Sequence, residues 1–148
     1  MISRLEVYNG LVSAIKACSG GLPVRKWNRN IEEMDDSRLS DAIYVAPYAV
    51  ALEESQEIGA ITYERSLYYE VAVVMTDRSG TMASERVMPV MDSIEAGLHG
   101  KQIAGWGVAV QTRHPEAHGF QEFYMQVHAG RIACIQLWAV VGLESHGD

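Results

Sequence analysis

His114 and His118, in the sequence HPEAH, come closest in this chain to a metal motif. Histidines four apart share a face only on a helix, and Pro115 with Gly119 marks a loop instead. The glutamate is also out of place for HExxH, where it directly follows the first histidine, and zinc normally takes three or four ligands. The exposed-loop reading outweighs the metal one. His99, after Leu98, has the chemistry of a general base, but a histidine in the last turn of a helix also complements the helix dipole. Gly97, Gly100, Gly105 and Gly107 match neither phosphate-binding pattern and read as turn formers. There is no GxSxG, and Ser66 and Ser84 have no activating context. The acidic run Glu32 to Asp36 lacks the framework of a calcium loop. No catalytic residue, metal ligand or cofactor is therefore assigned. The competing reading is a small ligand-binding module or enzyme with a site near His99, Trp106 and His114.

The elements around these residues are plainer. From Ile61 to Met75 the odd positions are mostly apolar, while the even positions begin polar and end mixed, the period of a strand with one buried face. After the turn signal Asp77-Arg78-Ser79-Gly80, Val87, Val90, Met91, Ile94 and Leu98 fall at helical spacing over 82–98. Pro89 lies inside that pattern, so the helix is either kinked there or regular only from about Pro89 onward. Gly100 is available as the left-handed stop.

An N-terminal helix over 3–18 opens on a Ser3/Glu6 capping box and buries Leu5, Tyr8, Leu11, Val12 and Ile15. A short strand, Val24 to Trp27, leads into an exposed polar loop from Asn28 to Asp41. Ala42 to Leu52 reads as a strand with Tyr44, Ala46, Tyr48 and Val50 on one face. Pro47 cannot donate to a ladder and marks an edge or a bulge. Glu53 to Gly59 forms a polar hairpin end that projects beyond the core. Strands follow at Gly107–Thr112, Phe120–His128 and Arg131–Leu143, with a tight Ala129-Gly130 turn and a frayed tail. The order predicts one α+β domain over 1–148, a mainly antiparallel sheet with two helices packed on one face.

A chain of 148 residues that is 48% hydrophobic is long enough for one sizeable core. A net charge of −7 argues against nonspecific nucleic-acid or anionic-membrane binding. Cys18 and Cys134 lack metal-ligand spacing and are expected as reduced thiols in an intracellular protein. Neither a signal peptide nor a membrane-spanning run is read in the sequence.

Glu85 to Gly100, ERVMPVMDSIEAGLHG, follows a long strand with alternating tyrosines and precedes a paired C-terminal β region. In this helix and in element order the chain resembles the tail terminator proteins of long-tailed phages, the minor tail protein U family of phage lambda and its prophage relatives. Arg86 and Pro89-Val90-Met91 approach a literal motif, and their role looks structural. The resemblance implies a non-enzymatic, virion-assembly protein. It would form a hexameric ring that caps the tail tube and meets the major tail protein and the head-completion or neck proteins. Recognition of nucleic acid and membrane plays no part. Its place would be the host cytoplasm during assembly and then the virion tail. The residues expected at ring or docking contacts are Arg25, Lys26 and Trp27, Pro47 on its edge strand, Glu53, Glu54 and Glu57 on the hairpin end, and the aromatics Tyr68 and Trp106. The polar 28–41 loop departs from the family picture.

Overall fold

The computed structural model describes residues 2–30, 41–57, 60–128 and 130–146. The acidic run at 32–36, the hairpin tip at 58–59 and the end of the tail lie outside them. Helix α1 (Arg4–Ala17) leads into strand β1 (Val24–Lys26). Strands β2 (Ala42–Glu57) and β3 (Ala60–Thr76) are followed by helix α2 (Ala83–Leu98). The remaining strands are β4 (Gln102–Ile103), β5 (Gly107–Thr112), β6 (Glu122–His128) and β7 (Arg131–His146). The sheet order is β1-β2-β3-β7-β5-β4, with β6 also on β7. All pairs are antiparallel except β1 with β2. This is the expected α+β class.

Both helices pack on the sheet face formed by the odd positions of β3. Val7, Leu11 and Ile15 of α1 and Val87, Met91, Ile94 and Leu98 of α2 meet Leu67, Tyr69, Val71 and Val73 there, with Trp138 and Val140 from β7. Leu5 departs from the expected stripe: it is 61% exposed. Ser3 caps α1 by accepting from the Glu6 N–H at 3.3 Å. Helix α2 runs unbroken from Ala83 with Pro89 inside it, so it starts well before the proline. Its cap residue, Met82, offers no side-chain acceptor. Asp77 supplies one from the preceding turn, accepting from the Ala83 N–H at 2.7 Å.

The opposite face is buried as well, contrary to the single buried face that the alternation suggests. Trp27, Ala42, Tyr44, Ala46, Ala72, Val74, Ala133 and Ile135 form a second cluster there, against which Phe123 and Met125 pack. Strands β5 and β6 lie end to end on one edge of β7. Thr112 pairs with Leu137, and Glu122 pairs with the adjacent Gln136. Residues 113–121 are therefore an excursion from what is otherwise one interrupted edge strand.

Arg86 ties α2 to the end of β3 and to the residue just before β2. Its guanidinium donates to the Thr76 carbonyl and to Asp41 Oδ2, each at 2.6 Å. Asp41 Oδ1 accepts from the Thr76 N–H at 2.9 Å. Burial opposes the charge on Asp41, but the hydrogen bonds from Arg86 and Thr76 outweigh it and hold the carboxyl below its ordinary value. This stabilisation is complete above the unfolded carboxyl's range and is lost as pH falls through the lowered folded value. Asp41→Asn, which leaves Arg86 without its charge partner, is expected to cost about 2–4 kcal/mol at pH 7 by urea denaturation. The deficit should shrink at strongly acid pH, where the wild-type carboxylate is also protonated.

Candidate functional site

β1 covers the outer edge of β2 only at Ile43–Val45. On the other side, β5 leaves β7 after Val141. Beyond these points β2, β3 and β7 continue as a three-stranded arm, still paired from Ala49↔Tyr68 to Glu57↔Ala60 and out to Ile61↔His146. Among the described residues, both of its edges lack a neighbouring strand.

A bulge decides which side chains face which way on this arm. Pro47 pairs with Tyr69 and Ala49 with Tyr68, leaving Tyr48 as the extra residue. An inserted residue shifts the alternation by one, so every later side chain on β2 changes face. Val50 and Leu52, opposite Leu67 and Arg65, thus share the helix-covered side. They do not share the face of Tyr44 and Ala46, as unbroken alternation would have it. They are 52% and 53% exposed. Glu53, opposite Glu64, falls on the other side.

The bulge also directs Tyr48 at a buried polar cluster. Its ring meets His114 edge-on with centroids 5.2 Å apart, and the Arg29 guanidinium stacks on it at 4.8 Å. His114 is fully buried, which corrects the exposed-loop expectation. The excursion folds its first residues back under the sheet. Glu70, an even position of β3 that the alternation counts as mixed, accepts from His114 Nε2 at 2.8 Å and from Arg29 Nε at 3.2 Å. Arg29 also reaches Glu116 Oε2 at 2.5 Å. Burial works against the Arg29 charge, but Glu70 and Glu116 outweigh it and raise its pKa above the ordinary value.

Donor atoms of Glu70, His114 and Glu116 lie within 4.8 Å of one another, close enough to be examined as a metal site. Tautomer chemistry decides against it. His114 Nδ1 accepts the Glu116 N–H at 3.1 Å, so the ring proton sits on Nε2, the nitrogen aimed at Glu70. A metal on Nε2 would need that proton on Nδ1, where it would confront the Glu116 N–H. Arg29 already supplies the positive charge. The cluster is an ion-pair and hydrogen-bond network joining β3, the β2 bulge, the 113–121 excursion and the segment after β1. Arg29, Glu70 and Glu116 also line a cavity of about 230 Å³ with Trp27, Phe123, Met125 and Ile135.

On the helix side, a cleft of about 470 Å³ is lined by Asp92, Glu95, Ala96, His99 and Gln111. Behind it, the Gln136 amide donates to Glu95 and Glu122, both at 3.0 Å, and accepts from the Trp138 indole at 2.8 Å. Cys134 is pushed up to about 12, first by burial and then by Glu122. It stays a thiol and no nucleophile.

The contact residues expected from the sequence scatter. Arg25, Lys26, Pro47 and Glu53 are exposed, and the side chains of Glu54 and Glu57 lie outside the described residues. Tyr68 is half-buried beside an apolar groove between α1 and the arm. Trp27 is 5% exposed and packs edge-on against Tyr44, so its indole is taken up within the chain rather than offered to a partner. Trp106 is half-buried and covers Gly142 so closely that any Cβ there would overlap its ring. His99, edge-on to Trp138, belongs to the helix side, whereas His114 lies on the opposite face of the sheet. His99, Trp106 and His114 therefore do not converge. The chain matches no protein-family model and no curated protein. No helix among the described residues is long and apolar enough to cross a membrane.

Alternation passed over Glu70 and Arg29, since a single acid in an apolar run and a lone arginine in a polar segment carry no pairing signal. Two measurements check this assignment. Nitrogen-15 NMR is expected to show His114 as the neutral Nε2–H tautomer, with no change on adding zinc. Glu70→Leu, which leaves Arg29 and His114 without their acceptor, should destabilise the fold by about 3–5 kcal/mol in denaturant.

Proposed function

We propose that this chain is a non-enzymatic structural protein of a phage or prophage, a tail terminator. It would assemble as a ring, hexameric by family resemblance, on the tail tube and join the tube to the head. The observation that carries this reading is the arm of β2, β3 and β7, bare along both edges among the described residues. Unpaired strand edges invite pairing with another chain, and natural proteins usually blunt or cover them. Two different edges on one arm suit a head-to-tail contact, in which each copy presents one surface and receives the other. Such contacts close into rings when the rotation allows. Val50, Leu52 and Leu143 leave the arm's faces apolar where a monomer would profit from charge. The acidic balance fits a ring lumen through which DNA passes without being held. His99 and Trp106 lie on the helix side of the sheet and His114 on the other, so the three residues of the competing enzyme or ligand-binding reading do not share one site.

The partners under this reading are further copies of the chain, the major tail protein and the head-completion or neck proteins. Sedimentation and light scattering are expected to give a mass of six chains at high concentration or in the presence of tail-tube protein, with rings visible in negative stain. A chain that stays monomeric under both conditions and ignores the tube protein would refute the reading.

A further inference from the structure

The two faces of the arm carry different and matching surfaces. On the helix-covered face, Arg4, Leu5, Tyr8, Pro47, Val50 and Leu67 line a groove of about 450 Å³ between the first turn of α1 and the arm. Its rim is basic. Arg4 is exposed, and Lys26 lies over the Tyr8 ring at 4.9 Å. Among the described residues neither is paired with a carboxylate. On the opposite face, register places Glu53 beside Glu64 and Glu64 beside Leu143, one row across three strands. Leu143 is 69% exposed, the most of any large apolar side chain described. Like charges directly opposite each other on an antiparallel pair are destabilising, and no described cation is paired with Glu53 or Glu64. Among the described residues the row is an apolar knob with two acids that have no cation partner. The groove is an apolar socket beside two bases that have no carboxylate partner, Lys26 donating instead to Asn9 Oδ1.

We infer that the groove is the docking site for the Glu53–Glu64–Leu143 row of a second copy of this chain. Leu143 enters the socket, and Glu53 and Glu64 meet Arg4 and Lys26. The inference rests on the ring-assembly reading and adds the surfaces through which neighbours join. Knob and socket lie on opposite faces of one sheet. A two-fold dimer cannot engage both pairs at once, because an isologous contact needs both patches on the same side. Each copy instead uses its knob on one neighbour and its socket on the other.

The test is charge-swap complementation, followed by sedimentation velocity on the full chain. R4E/K26E makes socket and knob both acidic, and E53K/E64K makes both basic. Each is expected to remain folded by circular dichroism and to self-associate at least tenfold more weakly than wild type, as is L143D. Glutamate at position 4 lies in the first turn of α1, where negative charge is favourable. Mixed in equal amounts, the two double variants should co-assemble to the wild-type mass, and the fourfold variant should assemble alone. If wild type assembles and all three variants assemble equally well, the ring reading stands, the groove belongs to another occupant such as a partner protein, and the inference falls. Folded, monomeric double variants that fail to complement each other also overturn it. A wild type that never assembles removes the ring reading and this contact together.

Discussion

The antiparallel ladder between β3 and β7 is the interaction on which the rest of the molecule hangs. It runs unbroken from Thr76↔Arg131 to Ile61↔His146, and both strands keep one phase throughout. At its inner end, with both faces covered, it carries the two apolar clusters. At its outer end it keeps the same pairing after β1 and β5 have stopped, and that continuation is the arm. Core and arm are thus one piece of sheet. Backbone hydrogen bonding supports the arm, while burial of apolar area anchors its base.

The polar groups inside this sheet show how it tolerates charge. Glu70 sits in a face otherwise made of Ala72, Val74 and Ile135, and an unpaired carboxylate there would be strongly destabilising. Arg29 and His114 reach it from two chain segments far apart in sequence. The network offsets that penalty, and it also holds the 113–121 excursion against the sheet. Asp41 and Arg86 do the equivalent work at the other end of β3, where α2 begins. The arginine of the proline-methionine helix is therefore a docking residue for α2, in keeping with a structural role for the motif.

Charge and apolar exposure move outward instead. The most exposed large apolar side chains of the sheet lie on the arm, Val50 beside a groove made partly by α1 and Leu143 on the opposite face with Glu53 and Glu64. Arg65 and Glu144 pair on the arm at 3.5 Å, while Leu143, Leu52, Val50 and the acids Glu53 and Glu64 stay exposed there, an arrangement suited to assembly.

Much of the fold was legible because it is local. The alternation over 61–75, the helical stripe of Val87, Met91, Ile94 and Leu98, and the Ser3 cap are set by neighbours within a few residues, and each element formed where its pattern stood. Pro47 announced an irregularity for the same reason, since a missing N–H is a property of one residue. Tertiary structure decided what followed from it. Only the pairing with β3 makes Tyr48 the unmatched residue, and so moves Val50 and Leu52 to the other face. It also decided that His114 is buried, because the acceptor that makes burial tolerable is Glu70, 44 residues away and silent in any local pattern. Sequence determined the elements, whose energies are local. The surfaces that could meet a partner depended on register and on long-range charge pairing, which exist only once the strands have met.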